Sequence, residues 1–111
     1  MSTVDEIETA LGVLAFGLLN NKEPSKNAFH EAYNSDLGKN ILKEYVTLLH
    51  CTSNYPAKFD EINLKVMLEM KKRFNLSIGY SDHSKGTLVS ISAAAMGAKY
   101  IEKHFTLDQK L

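Results

Sequence analysis

The sequence predicts an α/β fold built on parallel strands, and three observations predict it. Short apolar runs recur at 45–51, 76–81 and 100–106. Each is preceded by a longer stretch of helical periodicity, and connections of that length join parallel neighbours. Each run ends in a cluster of polar side chains, which is where sites sit in open α/β sheets and in closed (β/α)8 barrels alike.

The elements follow in order. Thr3 and Glu6 have the spacing of a capping box, with Ser2 as an alternative cap. Ile7, Leu11, Leu14 and Leu18 then recur at helical intervals and predict the apolar stripe of a first helix. Asn20-Asn21-Lys22-Glu23-Pro24 predicts its end. Two short helices are expected over 25–32 and 35–44, broken at Asn34-Ser35. The nearly continuous apolar run 45–51 predicts a strand buried on both faces. Ser53 to Lys58 reads as a loop and Asp60 as the cap of the next helix, with Ile62, Val66, Met70 and Phe74 on its inner face. A second strand over 77–81, a small-residue helix over 86–97 and a third strand over 100–106 complete the pattern. Three parallel strands leave two edges unpaired, and the chain opens at a helix cap. The expectation is therefore a slice of a larger α/β protein.

Composition excludes several functions. Thirteen basic residues balance thirteen acidic ones, so nucleic acid and anionic membrane are not expected partners. No apolar run reaches membrane-spanning length, and the acidic, polar start is unlike a signal peptide. A single cysteine forms no internal disulfide, and a reducing, cytoplasmic setting is expected.

Strand parity organises the polar ends. Alternate residues share a face, which groups Gly79, Ser81 and His83 on one strand and Tyr100, Glu102 and His104 on the next. If both sets face one mouth, two imidazoles converge there with a serine and a carboxylate nearby. Such a set can hold a divalent cation and leave positions open for water or substrate. The bland alternative makes His83 a helix cap and His104 a hydrogen-bonded core histidine. On the first strand Cys51, Ser53 and Tyr55 share parity, which turns His50 towards the helices as an interior histidine. Cys51 reads as a buried small residue rather than a nucleophile, His30 as exposed, Met67 and Met70 as helix packing, and Lys71-Lys72-Arg73 as a solvated helix end that complements the dipole.

The wording VTLLHCTSNYPA, NLKVMLEMKKRFNLSIGYSDHS and GAKYIEKHFTLD, with the helical EPSKNAFHEAYNSDLGKNIL stretch, resembles the N-acetylneuraminate (sialic acid) synthase family, including legionaminate and pseudaminate synthases. The likeness runs in register from about Ser2 to Leu111. It implies a partial (β/α)8 TIM barrel, from the helix after strand five through strand eight. The first five strands and a C-terminal antifreeze-like domain would lie outside residues 1–111, which leads to the expectation that the isolated chain is inactive. It implies condensation of phosphoenolpyruvate with an N-acyl hexose to a nine-carbon 2-keto acid, with release of phosphate. It also implies a homodimer for the full-length protein.

By the same resemblance His83 and His104 match two metal-binding histidines, and Ser81 matches a phosphate-binding serine. Glu102 matches a carboxylate beside the metal and its water, and with the two histidines forms the expected catalytic set. Tyr55 matches a sugar-contacting tyrosine. Ser53 falls where the family has a polar phosphate-binding side chain, often asparagine, and the neighbouring Asn54 competes for that assignment. Lys58 stands where many members have proline. The implied cofactor is Mn2+ or Mg2+, and imidazole ligands leave Zn2+ open as well. Two other readings compete. A Schiff-base aldolase needs an interior lysine, and Lys103 has the wrong parity for it. A non-catalytic interaction module would associate through its sheet edges without any metal dependence.

Overall fold

The computed structural model describes residues 2–19 and 23–110. It divides into two compact units, Ser2–Val46 and Thr47 onward.

The first unit holds α1 (Val4–Leu19), α2 (Lys26–Asn34) and α3 (Asp36–Tyr45). α1 starts at the expected capping box: Thr3 N–H donates to Glu6 Oε2 at 2.7 Å and Glu6 N–H donates to Thr3 Oγ1 at 3.2 Å. Ser25 and Ser35 cap the next two helices through Ala28 N–H and Gly38 N–H. The Asn20–Lys22 part of the expected helix stop lies outside the described residues. The buried face of α1 differs from the expected stripe. Leu11, Gly12 and Ala15 are buried, whereas Leu14 and Leu18 are 46% and 41% exposed. The reason is close approach: a Cβ on Gly12 would lie 2.9 Å from the Phe29 carbonyl oxygen of α2. A neighbouring backbone that near selects the small-residue face of α1. Phe16 meets Phe29 edge to face at 5.1 Å beside it.

The second unit is a parallel sheet in the order β1 (Thr47–Cys51), β2 (Ser77–Asp82), β3 (Ile101–Lys103), with α4 (Lys65–Phe74) and α5 (Leu88–Ala95) as crossovers. The α/β class and parallel strands agree with the sequence. Met67, Ile78, Tyr80, Val89 and Ala93 form the core between sheet and helices. Three expectations are corrected. β1 is not buried on both faces, because Leu49 is 41% exposed on the side away from the helices. Asp60 does not cap α4; it lies in a 3-10 turn, Phe59–Glu61, and Asn63 Oδ1 instead accepts from Lys65 N–H. β3 is shorter than 100–106 because its ladder runs only against β2. Gly79 shows how tightly β3 enters: a Cβ there would meet Leu49 Cδ2 and the Tyr100 carbonyl oxygen at 2.5 Å each. That approach lets Tyr80 N–H bond the Tyr100 carbonyl at 2.9 Å and Lys99 N–H bond the Ile78 carbonyl at 2.7 Å.

Candidate functional site

Strand register brings the polar ends together. Cys51 pairs with Ser81, Ser81 with Glu102, and Asp82 with Lys103. Partners across a parallel ladder share a face, so one face carries Cys51, Ser81 and Glu102 and the opposite face carries Asp82 and Lys103. Ser81 Oγ donates to Glu102 Oε1 at 2.6 Å, a short bond to an ionised acceptor. Ser81 is buried while Glu102 is exposed at the open end.

One residue beyond the ladder stand His83 and His104. Their ring centroids are 5.2 Å apart with planes inclined by 64°. Two imidazoles bound side by side to one ion have centroids roughly 4.5–5.3 Å apart, given metal–nitrogen bonds of about 2.1 Å. His83 Nδ1 lies 2.9 Å from the Thr52 carbonyl oxygen. A carbonyl only accepts, so Nδ1 carries the proton and the lone pair of the neutral ring is on Nε2. Such a bond from the far nitrogen is the usual support of a ligating histidine. Cys51 Sγ lies 3.5 Å from the same Nδ1. Among the described residues no cluster of three or more His, Cys, Asp or Glu forms a metal cage. The chain therefore offers two nitrogen donors, which suits a six-coordinate cation whose other positions go to water or substrate oxygens.

His83 does not cap α5. That helix follows Thr87, which makes no side-chain cap bond. His104 is exposed rather than a core residue.

The loop after β1 folds back on this pair. Ala57 N–H bonds the His83 carbonyl at 2.9 Å and Ala57 bridges to Ser84. The Tyr55 ring stacks on His104 at 4.5 Å and meets His83 edge-on at 5.9 Å. Tyr55 is 65% exposed, so the phenol roofs the histidines without sealing them. Ser53 and Asn54 are exposed, and Asn54 Nδ2 donates to Glu61 Oε2 at 3.1 Å, which turns it into its own loop. The structure thus joins Ser81 to Glu102, groups Tyr55 with both histidines, and leaves Asn54 aside. The histidines, Tyr55, Lys85 and Thr106 line an open cleft of about 860 Å3.

A network centred on Asp82 borders the same cleft. Asp82 is buried and accepts from Ser84 N–H, Ser84 Oγ, Ser90 Oγ and Lys103 Nζ. Burial alone would raise its carboxyl, but the bonds from Ser84, Ser90 and Lys103 outweigh it and hold the group down to about 2. The sequence signal is Asp82-His83-Ser84, where an aspartate bonding the backbone two residues on makes an Asx turn. His50 faces the helix layer, its ring 5.7 Å from that of Tyr80. Burial lowers the His50 imidazole and raises the Tyr80 phenol.

Residues 1–111 match the NeuB family. The chain is 44% identical over 99 residues to an N,N'-diacetyllegionaminic acid synthase of Campylobacter jejuni, covering 89% of this chain and 28% of that protein. It is 54% identical over 72 residues to the synthase of the same name from Legionella pneumophila, covering 65% and 20%. The crystal structure of an N-acetylneuraminic acid (sialic acid) synthetase from Leptospira borgpetersenii superposes with a TM-score of 0.61 at 30% identity, covering 94% of this chain and 38% of that one. The chain thus spans between a fifth and two fifths of the length of these relatives.

Proposed function

The chain belongs to the NeuB family, and from that premise we propose that it forms the cation- and phosphate-binding end of a nonulosonate synthase, a transferase condensing phosphoenolpyruvate with an N-acyl hexose. The observation that carries the reading is the His83–His104 pair, 5.2 Å apart at the ends of adjacent parallel strands, with His83 Nδ1 held by the Thr52 carbonyl. His83 and His104 would hold a divalent cation, Mn2+ or Mg2+, with Zn2+ compatible with the same donors.

The balance of the reaction assigns work to this chain's residues. The enol carbon of phosphoenolpyruvate forms a bond to the sugar aldehyde carbon, whose oxygen takes up a proton to become a hydroxyl; water adds at the electron-poor C2 and loses its protons, and the C2–O bond breaks so that phosphate departs with the former enol oxygen and the ketone oxygen comes from water. When bound, the cation supplies Lewis-acid polarisation of the aldehyde. Glu102 orients the incoming water and accepts its proton, and Ser81, donating at 2.6 Å, fixes the carboxylate's rotamer. The exposed Ser53 hydroxyl can donate to phosphate, whereas Ser81 and Asn54 can do so only after releasing Glu102 and Glu61. Tyr55, stacked on His104, offers a flat wall against which the sugar is oriented. Lys103 is committed to Asp82, which argues against a Schiff-base aldolase. The setting proposed is cytoplasmic, with the whole enzyme a homodimer.

The test is a chimaera in which this chain replaces the matching segment of the Campylobacter jejuni relative. It is expected to release phosphate from phosphoenolpyruvate only when an N-acyl hexose and a divalent cation are present. His83→Ala and His104→Ala should each abolish this. A folded chimaera that turns over equally well without either histidine would sink the reading.

A further inference from the structure

His83 and His104 both lie one residue past the end of the β2–β3 ladder, so no rung of strand hydrogen bonds fixes the distance between them. The last rung is Asp82 opposite Lys103, the residues immediately preceding the two histidines. Lys103 Nζ donates to Asp82 Oδ2 at 3.1 Å and to the Ser84 carbonyl oxygen at 2.7 Å. It therefore grips the residues on both sides of His83, while its own next neighbour is His104. The carboxylate it grips cannot swing, because Ser84 N–H and Ser84 Oγ hold Oδ1 at 2.8 and 2.6 Å and Ser90 Oγ of α5 holds Oδ2. The Asp82 side chain is fully buried, and that of Lys103 is 30% exposed. A charge pair so constrained specifies geometry even where its net contribution to stability is small.

We propose that Lys103, acting through Asp82 and the Ser84 carbonyl, is a positioning residue that sets the spacing of His83 and His104. The inference rests on the reading of those two rings as a cation seat. Lys103 lines the same cleft as the two rings, but its Nζ bonds go to Asp82 and the Ser84 carbonyl, so its effect on any ion is indirect. A support of this kind typically changes metal affinity about 10- to 100-fold.

The test uses the full chain as parent, Lys103→Met, Asp82→Asn and, as a control, Ser92→Ala, whose hydroxyl lies on the same helix but bonds the Leu88 carbonyl instead of Asp82, each checked for folding by circular dichroism. One readout needs no metal: the nuclear Overhauser contact between the His83 and His104 ring protons. The other is Mn2+ affinity by electron paramagnetic resonance. Lys103→Met and Asp82→Asn should lose the ring contact and bind Mn2+ at least about 10-fold more weakly, while Ser92→Ala keeps both. A ring contact retained in folded Lys103→Met, or lost equally in Ser92→Ala, overturns the proposal. Should Lys103→Met fail to fold, Asp82→Asn decides by the same criterion, since it preserves side-chain volume and the Ser84 contacts. If the parent binds no Mn2+, the cation seat fails as a reading, and the ring contact still decides the positioning claim.

Discussion

Ser81 and Glu102 divide their labour across a single rung. The serine is buried and donates, and the carboxylate is exposed and accepts. If Glu102 accepts the water's proton as proposed, Glu102→Gln, which keeps the shape, should lower kcat in the chimaeric barrel by about 10²–10⁴-fold with a smaller change in KM. Ser81→Ala should be milder in stability yet also reduce kcat, because the carboxylate loses its fixed orientation. Steady-state phosphate release measures both. Two neighbours give the chain an acid limb. Asp82, held down to about 2 against an ordinary 3.8, contributes stability that is fully present above 3.8 and lost as pH falls towards 2. His50, whose imidazole is lowered by burial, takes up a proton less readily folded than unfolded, so stability also declines as pH falls below about 6.5, where the unfolded chain is protonated first. Urea midpoints measured across pH should therefore fall in two stages on acidification. A midpoint independent of pH between 7 and about 3 would contradict these assignments.

Among the elements, β2 carries the most constraint. Gly79→Ala would push a methyl into Leu49 and the Tyr100 carbonyl, and is expected to destabilise by about 1–3 kcal/mol in thermal melts, since a backbone atom cannot step aside as a side chain can. Thr3→Ala removes the capping box of α1 and should cost about 1 kcal/mol by the same measurement. The three strands and the convergence of their polar ends were legible because parity is strict in a parallel ladder: Ser81 and Glu102 are bonded where the alternation puts them. Thr3-Glu6, Ser25 and Ser35 were legible because caps are local chemistry. The inner face of α1 was not legible, since hydrophobicity favours Leu14 and Leu18 while packing selects Gly12 and Ala15 for their size. The start of α4 was missed for a related reason: Asp60 begins a 3-10 turn, and the bond to Lys65 N–H comes from Asn63. The Asp82–Lys103 pair was invisible because an ion pair between strands, with one partner buried, announces itself only through register.

At the scale of the whole chain, the three parallel strands bring polar groups to one end of the sheet, and the chain, a member of the NeuB family, spans only 20–28% of the length of two legionaminic acid synthases it resembles. The proposed cation seat stands on one pair of rings, His83 and His104. Titration of the chain with Mn2+, followed by electron paramagnetic resonance, tests that seat most directly. One ion bound per chain, with binding abolished by His83→Ala and equally by His104→Ala, is the predicted result. Binding that survives either substitution in a folded protein, or a folded parent that binds no ion, would contradict it.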